Sequence, residues 1–131
     1  MRIAVVGMGK IGLPLAVHYA RRGHSVVGVD VNPQTVALIN GGAEPFPGEA
    51  HLAEYLPPLA SSGVLRATTN YAEAIPGADA VVMVVPLVVD AESRPDFTIM
   101  DAATRSMAAH LSPGTLVSYE TTLPVGTTRG R

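Results

Sequence analysis

Short apolar, β-branched runs alternate along the chain with longer stretches in which apolar residues recur at helical spacing. The apolar runs predict five strands, over residues 2–7, 24–30, 64–69, 78–86 and 115–120. Strands that alternate with helices normally form a parallel sheet with right-handed crossovers. We therefore predict an α/β fold of three layers (αβα), with a doubly wound parallel sheet of about five to six strands.

Two of the predicted helices have clear ends. The first covers 10–23, where Gly23 is a candidate for the residue that ends it. The second begins after Asn32, a predicted N-cap, with Pro33 at its first position, and stops at 41–42.

The segment 43–63 has the least regular pattern. It predicts a loop, a helix near 48–56, a break at Pro57 and Pro58, and then a short helical turn. We expect a brief helix after the third strand, which we place near a sheet edge, and a loop over 87–96.

The last predicted helix covers 97–111. One face carries four apolar residues that should pack against the sheet: Met100, Ala103, Met107 and Leu111. Thr98 and Asp101 have the spacing of a capping box. The fourth strand, 78–86, is apolar almost throughout, and we expect it to leave exposed apolar surface if it lacks a neighbour.

Composition narrows the class of protein without deciding its function. The chain has 131 residues, 47% of them hydrophobic and 15% charged, which fits one domain whose sheet is covered on both faces. A net charge of -2, few aromatics and no Trp argue against a nucleic-acid partner. The apolar N-terminal run is too short for a signal sequence or a membrane span, so we expect no membrane partner and a cytoplasmic location.

Cysteine is absent, which excludes disulfides, thiolate metal sites and thiol nucleophiles within these residues. The four histidines have no spacing typical of a metal site, and we predict none. The residues Glu44, Glu49 and Glu54 are interpreted as a solvated loop and helix face.

The strongest chemical signal is a glycine cluster, Gly7-Met8-Gly9-Lys10-Ile11-Gly12, between the first strand and the first helix. Gly7 permits a tight turn, Gly9 lets a pyrophosphate approach the backbone, and Gly12 lets helix and strand pack closely. The helix N-terminus then faces the phosphates. Asp30 ends the second strand, where a carboxylate can accept hydrogen bonds from the adenosine ribose. This arrangement predicts a Rossmann-type dinucleotide site.

No Arg or Lys occurs from residue 31 to 65, so a 2′-phosphate beside Asp30 would lack a cation, and NAD is favoured over NADP. Two alternatives remain at this point. In the first alternative, the glycines only make a turn and Asp30 only caps the next helix. In the second, the ligand is a flavin or another adenosine compound.

The carboxyl ends of the fourth and fifth strands are further candidates for cofactor contact. Ligands of open parallel sheets bind outside this edge, near the point where strand order reverses. The candidates are Val85, Pro86 and Leu87 after the fourth strand, and Glu120, Thr121 and Thr122 after the fifth. The two threonine hydroxyls are placed to reach the nicotinamide half, although ordinary strand-end threonines explain the position almost as well.

Several stretches together resemble the UDP-glucose/GDP-mannose dehydrogenase family, specifically its amino-terminal NAD-binding domain. They are IAVVGMGKIGLPLA, VVGVDVNPQTVALINGG, PGEAHLAEYL, RPDFTIMDAA and ETTLPVGTT, the last being the most discriminating. The resemblance implies that Gly7, Gly9, Lys10, Ile11 and Gly12 line the pyrophosphate and that Asp30 holds the ribose. It also implies that Thr122 lies near the nicotinamide and helps to order a catalytic water. Glu120 matches the acidic residue at the start of the ETTLPVGTT signature.

Four positions depart from the family pattern. Leu87 and Val88 stand where Thr-Pro is usual, so a polar cofactor contact is lost. Thr121 replaces a serine and keeps the hydroxyl, while Thr35 replaces a common lysine near the adenosine.

The resemblance implies an enzyme that oxidises the C6 alcohol of a UDP-sugar to the uronic acid with two NAD, through a cysteine thioester, as a homodimer. Because this chain lacks cysteine, we expect residues 1–131 to be a fragment, an NAD-binding Rossmann domain without the central helix and the sugar-nucleotide domain. Glu120 and Thr122 are then supporting catalytic residues only, and NAD binds without turnover. The alternatives are the cofactor domain of a β-hydroxyacid-type dehydrogenase and a non-catalytic NAD-sensing module.

Overall fold

The computed structural model describes residues 1–131. The strands are β1 (Arg2–Val6), β2 (Ser25–Val29), β3 (Leu65–Thr68), β4 (Ala80–Met83), β5 (Val88–Val89), β6 (Pro95–Asp96) and β7 (Leu116–Tyr119). The helices are α1 (Gly12–Arg21), α2 (Pro33–Asn40), α3 (Leu52–Ser62), α4 (Tyr71–Ala74), α5 (Thr98–Ala108) and α6 (Thr127–Gly130).

Five strands form one sheet in the order β3-β2-β1-β4-β7, and every neighbouring pair is parallel. The chain moves outward from β1 to β3 and then crosses back to β4, so the strand order reverses beside β1. The prediction of a doubly wound parallel sheet in an α/β fold is confirmed, and β3 lies at an edge as expected.

Each face of the sheet has its own core because successive strand residues point to opposite faces. Ile3 and Val5 of β1 pack with α1, α2 and α3 on one face. Ala4 and Val6 pack with α4 and α5 on the other. This alternation produces the three predicted layers. None of the helices combines the length and the apolar character that a membrane crossing requires.

The predicted break at Pro57 and Pro58 is wrong, because α3 continues through both prolines. Leu52 and Leu56 are buried against α1 and the sheet, and this burial holds the helix together. Both prolines lie on the exposed side, where water can satisfy the carbonyls that lose their intrahelical donors. Tertiary packing therefore overrides the local signal.

The segment 87–96 is not a plain loop, since β5 and β6 form a short antiparallel hairpin. Asp90 organises its turn: Oδ1 accepts from the backbone N–H groups of Glu92 and Arg94, and Oδ2 pairs with the Arg94 guanidinium at 2.9 Å. Such short-range side-chain hydrogen bonds shape turns without leaving an apolar pattern in the sequence.

The expected capping box of α5 does not form. Phe97 is the N-cap residue and makes no side-chain cap. Oδ1 of Asp96, just before it, accepts from the N–H and the hydroxyl of Thr98, while Asp101 pairs with Arg131. Met100, Ala103 and Met107 are buried as predicted. Leu111 is 38% exposed because the helix ends before it, so its assignment to the packed face was wrong.

The fourth strand has a neighbour on each side, since β4 lies between β1 and β7, so the condition for exposed apolar surface along it is not met. The exposed edge belongs to β7, where Leu116 is 65% exposed. After β7 the chain forms the short helix α6, which the sequence pattern did not predict.

Candidate functional site

The loop between β1 and α1 is shaped by contacts that only glycine permits. Gly7 has a φ of 97°, and a Cβ at this position would lie 2.8 Å from the Val84 carbonyl oxygen. The Gly7 N–H donates to the Val29 carbonyl at 2.8 Å, which joins the loop to the end of β2. A Cβ on Gly12 would overlap the Gly7 carbonyl oxygen, so the start of α1 is packed directly onto the loop.

The beginning of α1 presents unused hydrogen-bond donors. The N–H groups of Gly9, Lys10, Ile11 and Gly12 have no acceptor in the protein, and α1 has no side-chain cap and no acidic residue in its first turn. A Cβ on Gly9 would have no heavy atom within 4 Å, so the approach to these donors is open. Free donors at a helix N-terminus suit a phosphate group.

Asp30 is fixed at the carboxyl end of β2 by two backbone donors. Its Oδ2 accepts from the N–H of Met8 at 3.0 Å, and its Oδ1 accepts from the N–H of Asn32 at 2.9 Å. Each oxygen keeps capacity for a further hydrogen bond. The carboxylate is therefore oriented before any ligand arrives. Its bond to Met8 also couples it to the glycine loop.

A cleft of about 490 Å³ lies between Gly7, Asp30 and α5, and it is not lined by the residues that carry the free N–H groups of the loop, Gly9, Lys10, Ile11 and Gly12. This volume is within the range of ordinary cofactor pockets. Its walls come from the ends of β1, β2 and β4 and from α4 and α5: Val6, Gly7, Val29, Asp30, Val31, Tyr71, Val85, Pro86, Thr98, Ile99, Ala102, Ala103 and Ser106. Asp30 is the only charged residue among them, and no cation lines the cleft.

The structure brings only part of the predicted rim to this cleft. Val85 and Pro86 line it, whereas Leu87, half-buried, does not. Thr121 is connected to the wall, since its Oγ1 donates to the Val85 carbonyl at 2.6 Å. Its proton is thus committed to the backbone, and only its oxygen remains available to accept from a ligand.

Glu120 and Thr122 lie outside the cleft and are exposed to solvent. The Glu120 carboxylate accepts a hydrogen bond from the Ser118 hydroxyl at 2.6 Å. The backbone N–H of Glu120 donates to the Met83 carbonyl and so continues the hydrogen-bond ladder to β4. The Thr122 hydroxyl makes no hydrogen bond within the protein. Both side chains stand on the rim next to Thr121, and their predicted roles stay predictions.

Comparison with known proteins decides the family. The model of the UDP-glucose/GDP-mannose dehydrogenase family, NAD binding domain, matches residues 1–130. The chain belongs to this family.

Related sequences agree with the assignment. The chain is 41% identical over 126 residues to the UDP-N-acetyl-D-mannosamine dehydrogenase of Escherichia coli K12, a match that covers 96% of this chain and 29% of that protein. It is 42% identical over 126 residues to the NDP-N-acetyl-D-galactosaminuronic acid dehydrogenase of Ralstonia nicotianae, again covering 96% and 29%. The chain thus spans less than a third of the length of these relatives.

Solved structures of the family have the same fold. A GDP-mannose dehydrogenase ternary complex from Pseudomonas aeruginosa superposes with a TM-score of 0.92 at 27% identity, covering 99% of this chain and 30% of that one. The UDP-N-acetylmannosamine dehydrogenase of Pyrococcus horikoshii superposes with a TM-score of 0.90 at 34% identity, covering 98% and 30%.

The cofactor of this family domain is NAD, and the residues present fit it. The free N–H groups at the start of α1 suit the pyrophosphate, and the open space at Gly9 admits it. Asp30 offers acceptors for ribose hydroxyls, and the uncharged cleft beside it suits an adenine ring. A flavin or a purely structural turn is no longer needed to explain the glycine cluster.

Sequence reasoning missed the α4 and α5 walls of the cleft. Ile99, Ala102 and Ser106 share one helical face, at spacings of three and four residues, next to the core face that the pattern identified. That spacing was a usable signal, because a second face of small and apolar residues beside a core face indicates a covered surface. Tyr71 follows a short edge strand and carried no such signal.

Proposed function

We propose that residues 1–131 are the NAD-binding domain of a nucleotide-sugar dehydrogenase that oxidises the C6 alcohol of a UDP-sugar to the uronic acid with two NAD. The observation that carries this proposal is the hydrogen bond from Thr121 to the Val85 carbonyl. It joins the rim of β7, which has the ETTLPVGTT signature, to the wall of the cleft. The E. coli and P. horikoshii relatives are both UDP-N-acetylmannosamine dehydrogenases, which supports the choice of substrate class.

In this proposal the residues of the chain bind and orient the cofactor. The N–H groups at the start of α1 bind the pyrophosphate, and Lys10 and Ile11 flank it on the exposed side. Asp30 accepts from the adenosine ribose. When bound, NAD supplies the hydride acceptor for the oxidation.

The rim of β7 then faces the nicotinamide half. Thr121 is held against the Val85 wall of the cleft, and Glu120 and Thr122 are its immediate neighbours along the chain. Their exposure leaves them free to contact a water or a substrate. We assign them supporting roles only, because the nucleophilic cysteine of the proposed reaction has no counterpart in this chain.

This chain should therefore bind NAD without turnover. A fluorescence titration with NADH should give a saturable signal whose midpoint moves to higher NADH in Gly9→Ala, while Gly130→Ala, a glycine whose added Cβ also meets no atom, should bind like the parent. Absence of binding at millimolar NADH would contradict the cofactor role. Incubation with NAD and UDP-glucose or UDP-N-acetylmannosamine should produce no NADH, and turnover by this chain would refute its assignment as the cofactor-binding part alone.

A further inference from the structure

Tyr71 is held firmly at the entrance to α4, next to the end of β2. Asn70 caps α4 by accepting from the Ala72 N–H at 3.0 Å. The Thr68 hydroxyl accepts from the Asn70 N–H at 3.0 Å and donates to Glu73 at 2.7 Å. The backbone on both sides of Tyr71 is thus fixed by side-chain hydrogen bonds, which limits the positions available to its ring.

The Tyr71 ring lies between the sheet and the cleft. It packs against the core on the α4 and α5 face and lines the same cleft as Asp30. The two residues are brought together by the sheet, since the Asp30 N–H donates to the Thr68 carbonyl at the end of β3. Tyr71 is therefore the aromatic neighbour of the carboxylate that should meet the adenosine ribose.

The chemistry of the phenol fits a donor role. Burial, and to a smaller extent the negative charge of Asp30, raises the pKa of Tyr71 above its ordinary value of 10.0. The phenol therefore keeps its proton throughout the neutral range. Its hydroxyl makes no hydrogen bond to the protein, so the proton is available to a ligand in the cleft.

We propose that Tyr71 is a specificity-determining residue, which together with Asp30 selects a dinucleotide with a free 2′-hydroxyl over one with a 2′-phosphate. Asp30 accepts from the ribose hydroxyls while Tyr71 donates to a ribose oxygen, and the ring closes the outer side of the ribose position. A 2′-phosphate would have to displace the ring or lie against the carboxylate, in a cleft with no cation. This inference rests on the NAD-binding role described above.

The dissociation constants of NADH and NADPH for matched variants test the proposal. Tyr71→Phe keeps the ring and removes the hydrogen-bond donor. The dissociation constant of NADH should therefore rise about three- to tenfold, the effect expected from the loss of one hydrogen bond. The dissociation constant of NADPH should change less than about twofold. Tyr71→Ala also opens the wall and should reduce the preference for NADH further. Tyr55→Phe is the control, since Tyr55 packs on the opposite face of the sheet and should change neither constant.

A second readout needs no cofactor. If Tyr71 and Asp30 are neighbours at one site, Asp30→Asn should lower the pKa of the Tyr71 phenol, measured by NMR of labelled tyrosine, because it removes the charge that raises it. An unchanged pKa, or a Tyr71→Phe variant that is folded by circular dichroism and binds NADH like the parent, overturns the proposal while the NAD-binding role stands. Equal weakening of NADH and NADPH also overturns it. A parent protein that binds neither dinucleotide refutes both.

Discussion

The two ends of the proposed cofactor site are built in different ways. The loop from β1 to α1 is shaped by its backbone: a Cβ on Gly7 would collide with the Val84 carbonyl, and a Cβ on Gly12 would overlap the Gly7 carbonyl. The rim after β7 is instead held by side chains, with Thr121 bonded to Val85 and Arg131 paired with Asp101. A site for phosphates needs a backbone brought close to the ligand, whereas the rim displays polar side chains.

The position of each strand in the sheet explains this difference. β1 is central and Val5 is fully buried, so the loop that follows it is surrounded by neighbours. β7 is an edge strand, and the segment after it is largely exposed, including Val125 in full. The loop should therefore tolerate almost no change in shape, and the rim should tolerate many.

The largest expected effect is on the folding of the loop. Gly12→Ala should lower the free energy of unfolding by about 1–3 kcal/mol, or prevent folding, because the new Cβ overlaps the Gly7 carbonyl. Gly9→Ala should be nearly neutral in stability, since its Cβ meets nothing. Urea denaturation of both variants checks this. If Gly12→Ala and Gly9→Ala lower the free energy of unfolding equally, the loop is not shaped by the contact between Gly12 and Gly7.

The same loop should separate binding from stability. Gly9→Ala should raise the NADH dissociation constant about tenfold or more, equivalent to about 1.4 kcal/mol, because the methyl group occupies the approach to the free N–H groups. Calorimetric titration measures this. Unchanged affinity would show that the pyrophosphate does not approach Gly9.

A smaller effect is expected on the rim. Thr121→Val should cost about 1 kcal/mol of stability, because the half-buried hydrogen bond to the Val85 carbonyl is lost. Thr122→Val should change stability by less than about 0.5 kcal/mol, since Thr122 is exposed and makes no hydrogen bond. Thermal denaturation of the pair provides the comparison, and a larger loss for Thr122→Val would mean that the rim is held by other contacts.

The smallest effect concerns Arg131. Its hydrogen bond to Asp101 lowers the pKa of that carboxyl from 3.8, so this pairing adds stability above pH 3.8 and loses it as the pH falls through the lowered value. Arg131→Gln should therefore lose less stability than the parent between neutral and acidic pH. At neutral pH its stability should differ little from that of the parent, because the pair is exposed. Denaturation midpoints at neutral and acidic pH check this. Asp96, whose pKa is lowered by Thr98, is present in both the parent and the variant and serves as the internal control. If the parent and the variant lose the same stability on acidification, the pair of Arg131 and Asp101 has no role in the acid sensitivity.

Most of the fold and half of the site were predictable from local patterns. Strand and helix order, the Asn32 cap of α2 and the Gly7–Gly12 loop each depend on signals within a few residues, and Asp30 follows that loop at the end of the very next strand. The continuity of α3 through Pro57 was not predictable, because it depends on the burial of Leu56 against elements distant in the chain.

The sequence by itself determined the Rossmann-type order of elements and the chemistry of the phosphate and ribose contacts, because periodicity and glycine conformation act locally. Only the tertiary structure decided that Tyr71 stands beside Asp30, that Ile99 and Ser106 line the cleft, and that Thr121 bonds to Val85 while Glu120 and Thr122 face solvent. Those pairings join residues that are far apart in the chain. They form only when parallel strands bring their carboxyl ends to the same edge of the sheet.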